Sequence, residues 1–202
     1  TRPWPVKSHQ KSGHYWLLQD RSYQVYFLDP QGQVLWKKAL EGPITTDVFA
    51  IDFYNNHKVQ YLFATAKKLH LLDYYGREVG KYPHKLPRST TPTSLNVVDY
   101  RNDKNYRFLL ATTRGDIYLK DKHYRSLPNW NPMALQGAFV GVPFHGRIQG
   151  KDYFWALQAQ GTVQALTRKG HSYNNFPVTL QAPTSQPLLV QQGKTKEDTY
   201  LI

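Results

Sequence analysis

Two stretches of this chain carry oxygen ligands at spacings that could cradle a metal ion. They are Asp52-Phe53-Tyr54-Asn55-Asn56-His57 and Asp99-Tyr100-Arg101-Asn102-Asp103-Lys104. A Ca²⁺ loop supplies an oxygen at alternating positions. Here Tyr54 or Arg101 takes the second ligand place, and Gln60 or Arg107 takes the later acidic one. A guanidinium inside the cradle puts positive charge where Ca²⁺ needs oxygen, so both stretches read as hairpin turns. The histidines at 9, 14, 57, 70, 84, 123, 145 and 171 show no i,i+2 or i,i+4 pairing that would make a local metal site. His57, His123 and His171 fall in turns expected on one face. No Gly-x-Ser-x-Gly turn places a nucleophilic serine, and no glycine-rich loop is laid out for phosphate. With no cysteine there is no thiol nucleophile, zinc-thiolate site or disulfide. No catalytic, metal-binding or cofactor-binding residue is assigned, and no cofactor is expected.

The elements that would position any chemistry repeat. A block of roughly 46 residues recurs four times, with a fifth copy begun. Its apolar run appears as His14–Leu18, Val59–Thr65, Tyr106–Thr112 and Asp152–Leu157, then again from Asp198 to Ile202. A second marker advances with it: Val25–Asp29, Leu69–Asp73, Ile117–Asp121 and Val163–Thr167. Residues 92 to 136 show what one copy contains. Thr93–Tyr100 alternates as a strand, Arg101–Asn105 is turn chemistry, and Arg107–Thr112 is an apolar run suited to a strand covered on both faces. Arg114-Gly115-Asp116 turns the chain into Ile117–Asp121, and a polar, proline-containing segment closes the copy. That is a four-stranded antiparallel meander without helical periodicity. Such a unit cannot cover its own faces and must pack against its neighbours. The expectation is an all-β, β-propeller architecture of four-stranded antiparallel blades. The blades are placed at approximately 1–40, 44–84, 92–136 and 138–182, with a partial one at 187–202, in a single propeller domain. A two-sheet sandwich is the main rival, but its strands do not repeat with this register.

Composition sets wider bounds. No stretch reaches the ~18 apolar residues of a membrane span. No charged and apolar leader opens the chain, and residue 1 is Thr rather than Met, so the expected N-terminus is processed or cut. Four copies and part of a fifth fall short of the roughly six to eight blades common in closed propellers. A longer parent, an unusually small ring, or two joined copies would each reconcile the count. Open blade edges would favour self-association. The net charge of +12 points to anionic partners, although no run of five basic residues occurs.

The turn between third and fourth strands carries a family signal. Leu28-Asp29-Pro30-Gln31-Gly32 and Leu72-Asp73-Tyr74-Tyr75-Gly76 share Leu-Asp-x-x-Gly. Asp accepts the turn amides, and Gly supplies the positive φ needed to re-enter the next strand. With Trp36 four residues after Gly32, the first copy resembles the repeat of the PQQ-like (quinoprotein-type) β-propellers. In that family the Gly closes a tight turn and the Trp packs between adjacent blades. The second copy has Tyr82 near the Trp position, the third replaces the Gly by Tyr124, and Arg168-Lys169-Gly170 keeps the Gly alone. The resemblance implies the fold and an extracytoplasmic, bacterial adaptor. It does not imply a quinone-dependent dehydrogenase, because the family's vicinal cysteine pair and acidic calcium site have no counterparts.

One surface stands out. In an up-and-down meander, the first-to-second and third-to-fourth strand turns open at the same end of the sheet. That end collects Lys58, Arg77, Arg101, Lys104, Lys122, Arg125, Lys151, Arg168 and Lys169, with Lys194 and Lys196. The opposite end carries Arg21, Lys67, Lys68, Arg88 and Arg114 with Glu41. Tyr54, Tyr74, Tyr75, Tyr100 and Tyr124 sit in or beside the basic turns and are expected to be exposed. Basic groups interleaved with aromatics suit anionic ligands. The candidate binding face is therefore Lys58, Tyr75, Arg77, Arg101, Lys104, Lys122, Arg125, Lys151, Arg168 and Lys169. The expected function is a non-enzymatic binding or scaffold module for a protein or an anionic ligand; nucleic acid is not expected. The alternative is an axial enzyme acting on acidic glycans. Near the first strands lie Asp47, Asp52, Asp99 and His145, but they form no repeated pair.

Overall fold

The computed structural model describes residues 3–87, 91–130, 132–191 and 200–201. All of its regular elements are strands, and they pair in chain order. Sheet 1 is β1 (Trp4–Val6), β2 (Tyr15–Gln19), β3 (Gln24–Leu28) and β4 (Val34–Ala39). Sheet 2 is β5 (Phe49–Ile51), β6 (Gln60–Ala64), β7 (Lys68–Leu72) and β8 (His84–Lys85). Sheet 3 is β9 (Pro92–Val98), β10 (Arg107–Thr112), β11 (Asp116–Asp121) and β12 (Met133–Ala134). Sheet 4 is β13 (Phe139–Ile148), β14 (Lys151–Gln158), β15 (Thr162–Thr167) and β16 (Val178–Thr179). A last pair follows, β17 (Val190–Gln191) with β18 (Tyr200–Leu201). Of the fifth apolar run, Asp198, Thr199 and Ile202 lie outside the described residues. The chain divides into two compact units, one ending at Pro92 and the other starting at Thr93.

Burial explains the strands. In β6 all five residues are buried, as a strand covered on both faces requires. β13 contains Pro143, which cannot donate to a ladder. Its register skips from Val140 opposite Leu157 to Phe144 opposite Trp155, leaving the proline in a bulge.

In the first unit, sheets 1 and 2 bury one core against each other: Trp4, Tyr15, Leu17, Val25 and Phe27 with Tyr61 from sheet 2. Phe27 is its centre, with ring centroids of Tyr15, Trp36, Tyr61 and Tyr74 between 5.1 and 5.6 Å away. In the second unit, sheet 3 contributes Val98, Leu109, Ile117, Leu119 and Trp130, and sheet 4 contributes Phe154, Ala156 and Leu166. The far side of sheet 4 buries Tyr153, Trp155 and Ala165 under Tyr173 and Phe176.

The same turn recurs before each fourth strand. The carboxylates of Asp29, Asp73 and Asp121 each accept the amides two and four residues on, at 2.8 to 3.0 Å. Thr167 keeps the second of these bonds through its hydroxyl. The third copy, where Tyr replaces Gly, holds the same backbone: Tyr124 sits at φ 63° and donates its amide to Asp121 O. The turns of sheets 2 and 4 each also receive an indole from the preceding sheet. Trp36 Nε1 donates to Tyr74 O at 2.8 Å, and Trp130 Nε1 donates to Arg168 O at 3.1 Å. Trp130 thus does for sheets 3 and 4 what Trp36 does for sheets 1 and 2. It lies nine residues after Asp121, whereas Trp36 lies seven after Asp29, so the fixed spacing from the turn glycine misses it.

Gly76 shows how tight this contact is. A Cβ there would stand 2.8 Å from Trp36 Cδ2 at a φ of 78°. At Gly32, φ is 82° but an added Cβ meets nothing within 4 Å. Gly76→Ala is expected to cost about 2–3 kcal/mol, left-handed strain plus a displaced indole, against about 1–2 kcal/mol for Gly32→Ala. Urea midpoints of the two variants check the difference.

A polar cluster also joins sheets 1 and 2. His70 is 2% exposed and stacks on Phe63, with Nδ1 2.9 Å from Glu78 Oε1 and Nε2 3.5 Å from Glu41 Oε1. Thr65 Oγ1 donates to Glu41, and Lys38 of sheet 1 pairs with Glu78 of sheet 2. Burial raises the Glu41 carboxyl, but the Thr65 hydroxyl and the nearby His70 and Lys68 outweigh it and hold the acid below its ordinary value.

Candidate functional site

The basic turns divide between the units. In the first unit, Lys58 lies in the β5–β6 turn, and Tyr75 and Arg77 in the β7–β8 connection. Arg77 is committed locally. Its Nε and Nη2 meet Asp73 Oδ2 at 2.8 and 2.7 Å, and its guanidinium lies 5.0 Å from the Tyr75 ring centre. In the second unit, Arg101 and Lys104 lie in the β9–β10 turn, Lys122 and Arg125 after β11, Lys151 at the start of β14, and Arg168 and Lys169 after β15. Arg125 repeats the arrangement of Arg77, with its Nε 2.6 Å from Asp121 Oδ2. The spacing that makes the turn therefore also neutralises its arginine. Lys194 and Lys196, and Arg88 at the other end, lie outside the described residues.

The expected tyrosine exposure holds for two of five. Tyr54 and Tyr75 are 56% and 61% exposed. Tyr74, Tyr100 and Tyr124 are half-buried instead, because the sheets close over their rings. Tyr74 packs on the Phe27 core, and Tyr100 packs on Phe154 beneath Arg168. Burial pushes the Tyr100 hydroxyl up to about 12, against the opposing pull of Arg168 and Arg107.

The candidates that come together are on sheets 3 and 4. Arg168 lies 3.9 Å over the Tyr100 ring, close enough for a cation–π contact. Its Nη1 is 3.4 Å from Asp152 Oδ2. Asp152, whose side chain is 7% exposed, also takes His145 Nε2 at 2.9 Å and Arg147 at 2.9 to 3.0 Å. Arg147 Nη2 reaches on to Tyr100 O at 2.8 Å. Burial alone would raise the Asp152 carboxyl; hydrogen bonds from His145 and Arg147 outweigh it and hold the acid below its ordinary value. His145 is held below its usual value by burial and by the neighbouring arginines, with Asp152 opposing.

Two concavities flank Arg168. One, of about 150 Å³, is lined by Tyr100, Arg101, Asp103, Asn105, Arg107 and Arg168. The other, shallower and about 540 Å³, has Tyr153 and Tyr173 in its wall with Lys151, Arg168, Lys169 and His171 around them. Arg107, Arg147, His145 and Asp152 were not among the candidate binding residues. Arg147 and Asp152 face each other in the β13–β14 register, and that pairing is the signal that could have found them. Of the acids near the first strands, Asp52 and Asp99 sit in the following turns. Asp52 binds the amides of Asn56 and His57, and Asp99 those of Asp103 and Lys104. Among the described residues no group of three metal-ligating side chains converges. Among the same residues no helix is long and apolar enough to cross a membrane.

No family model and no curated protein matches the chain. Solved structures do. BBS1N, solved in complex with ARL6DN, aligns at 14% identity and a TM-score of 0.65, over 93% of this chain and 56% of that one. Sqt1 of Saccharomyces cerevisiae aligns at 13% identity and 0.67, over 93% and 52%. The computationally designed Ika8 protein aligns at 16% and 0.60, over 91% and 52%. These structures and the four meanders fix the architecture. The fold is a β-propeller built of four-stranded antiparallel blades. The chain spans about half the length of these solved structures. Identity at this level speaks to fold alone.

Proposed function

We propose that this propeller chain is a non-enzymatic binding module. The turn end of its third and fourth blades would hold an anionic partner, either an acidic protein surface or a smaller anionic ligand. The observation that carries this reading is the uneven use of arginine. Arg77 and Arg125 are each paired with the aspartate of their own turn. Arg101, Arg107, Arg147 and Arg168 instead crowd one place with Lys151 and Lys169, against Asp103 and Asp152. Such a concentration of cations raises the local density of anions and steers their approach. The solved structure of a similar propeller, BBS1N, with ARL6DN is in keeping with a protein-holding role. In this reading the chain belongs to the PQQ-like propellers of bacteria and works outside the cytoplasm, as the Leu-Asp-x-x-Gly turns with Trp36 suggest.

Poly-L-glutamate is a direct probe. Binding at low ionic strength should weaken steeply as salt rises toward a Debye length of about 8 Å. Charge reversal of Arg101, Lys151 and Lys169 together should weaken it about tenfold or more, because reversed rim charges repel an anion. Reversal of Arg77 should change it little. A chain that binds neither poly-L-glutamate nor inorganic phosphate at low salt would refute the reading, as would equal losses from both sets of variants.

A further inference from the structure

The smaller cavity is built to a charge and a shape. Three guanidinium groups, Arg101, Arg107 and Arg168, and one carboxylate, Asp103, line it; Asp152 behind Arg168 is shared with Arg147, so two positive charges remain around about 150 Å³. Two of the three are held in place before any ligand arrives. Arg107 Nη1 donates to Asn105 O, Asn105 Oδ1 and Tyr106 O at 2.8 to 3.0 Å. Arg168 is fixed by its stacking on Tyr100 and by Asp152 on the other side. A guanidinium has five N–H donors. The contacts of Arg107 with the described residues use one of its nitrogens and leave the rest of the fork for a ligand. Arg101 is exposed at the rim and has no acceptor among the described residues, so it is available to close over a bound group.

These features discriminate between anions. A carboxylate brings a single charge and is satisfied by a single fork, so it would leave the cavity with surplus positive charge. A phosphomonoester carries about −1.5 to −2 at pH 7 and three acceptor oxygens, which matches three guanidiniums set against one acid. Arg168 is also a wall of the larger depression, where the Tyr153 and Tyr173 rings lie 4.3 Å apart beside Lys151 and Lys169. That depression offers a ring-bearing organic group an aromatic surface beside the same arginine.

We propose that the Arg101–Arg107–Arg168 cavity binds the phosphoryl group of a small phosphomonoester whose organic ring lies against Tyr173. This assignment rests on the anion-binding reading of the same face and narrows it to one chemical class. Isothermal titration of the whole chain with inorganic phosphate should give one saturable site. Acetate at equal ionic strength should give none. Arg107→Gln and Arg168→Gln should each weaken phosphate about tenfold or more, as expected when one charged bidentate contact is lost. Arg125→Gln should leave it unchanged, and a thermal melt of each variant separates lost binding from lost folding. Phenyl phosphate should bind about tenfold tighter than inorganic phosphate, and Tyr173→Ala should erase that margin without altering phosphate itself.

Several results would overturn the proposal: no saturable phosphate site, acetate as effective as phosphate, or phosphate binding indifferent to Arg107 and Arg168. An absent phenyl margin, or one that survives Tyr173→Ala, overturns the ring assignment. A phosphoserine peptide or a phosphatidic acid vesicle binding more than about tenfold tighter than phenyl phosphate overturns the small-ligand assignment. If poly-L-glutamate binds while phosphate does not, only the phosphoryl assignment falls. If neither binds, the broader function falls with it.

Discussion

Trp130→Ala should lower the unfolding free energy of the second unit by about 3–5 kcal/mol, the range for emptying a core of an aromatic side chain. The residue is 0% exposed and meets Phe154 of the next sheet at a ring-centroid distance of 4.9 Å. Its Nε1 donates to Arg168 O at 3.1 Å, and a Cβ on Gly170 would stand only 3.3 Å from that nitrogen. Truncation removes the ring from both sheets at once and strands the carbonyl that anchors the turn bearing Arg168. Trp130→Phe separates the two contributions: it keeps most of the packing and loses the hydrogen bond, so it should cost less, about 1–2 kcal/mol. Urea unfolding followed by circular dichroism checks both. A Trp130→Ala chain with an unchanged midpoint would show that sheets 3 and 4 do not depend on the indole.

Asp152→Ala is the second large effect expected, about 2–3 kcal/mol at pH 7. The carboxylate gathers His145, Arg147 and Arg168, and its loss leaves three donors without their common acceptor. The pH dependence follows from the direction of each shift. Asp152 has a depressed carboxyl, so its contribution is complete above the unfolded value of about 3.9 and is lost as pH falls through the lower folded value. His145 is also depressed, and burial favours its neutral form. Its effect is a loss of stability that sets in as pH falls below the unfolded value of about 6.5. Both act on the acid side. His145→Gln should flatten the stability curve between about pH 6.5 and the lower folded value, while Asp152→Ala should flatten its most acidic part. Urea midpoints taken from pH 7 to pH 3 distinguish the two.

Much of the architecture could be read from the residues alone, because the repeat, the apolar runs and the Asp-containing turns recur on one period. The four-stranded meander at 92 to 136 was visible in the alternation around Leu95 and in the run at Phe108–Ala111. Local chemistry was also legible: Asp52 and Asp99 bind the amides of their own hairpin turns. What the chain did not display was which cations would remain available. Arg77 and Arg101 look alike as letters, yet one is paired with its own turn and the other stands at the rim of a cavity. Tyr100 looked like a surface aromatic and proved to be a half-buried platform for Arg168. Trp130 was passed over because its turn carries Tyr124 in the glycine place and reaches the indole two residues later than Leu28–Trp36 does. The cavity beside Arg101, the Tyr100 platform and the Trp130 bond each depend on a contact between neighbouring sheets, and a linear repeat does not show which side chains two sheets will share.

The hairpin-only connectivity has a kinetic consequence. Every strand pairs with one adjacent in the chain, so the ladders close short loops, and such hairpins form in about 1–10 μs. The two indole-to-carbonyl bonds each span 38 residues and need two finished sheets to meet. Loop-closure entropy places them late on the route to the native state. Contacts made after the barrier restrain escape more than they hasten arrival. The tryptophans therefore act mainly as brakes on unfolding, and they set how long each pair of sheets endures more than how fast it assembles.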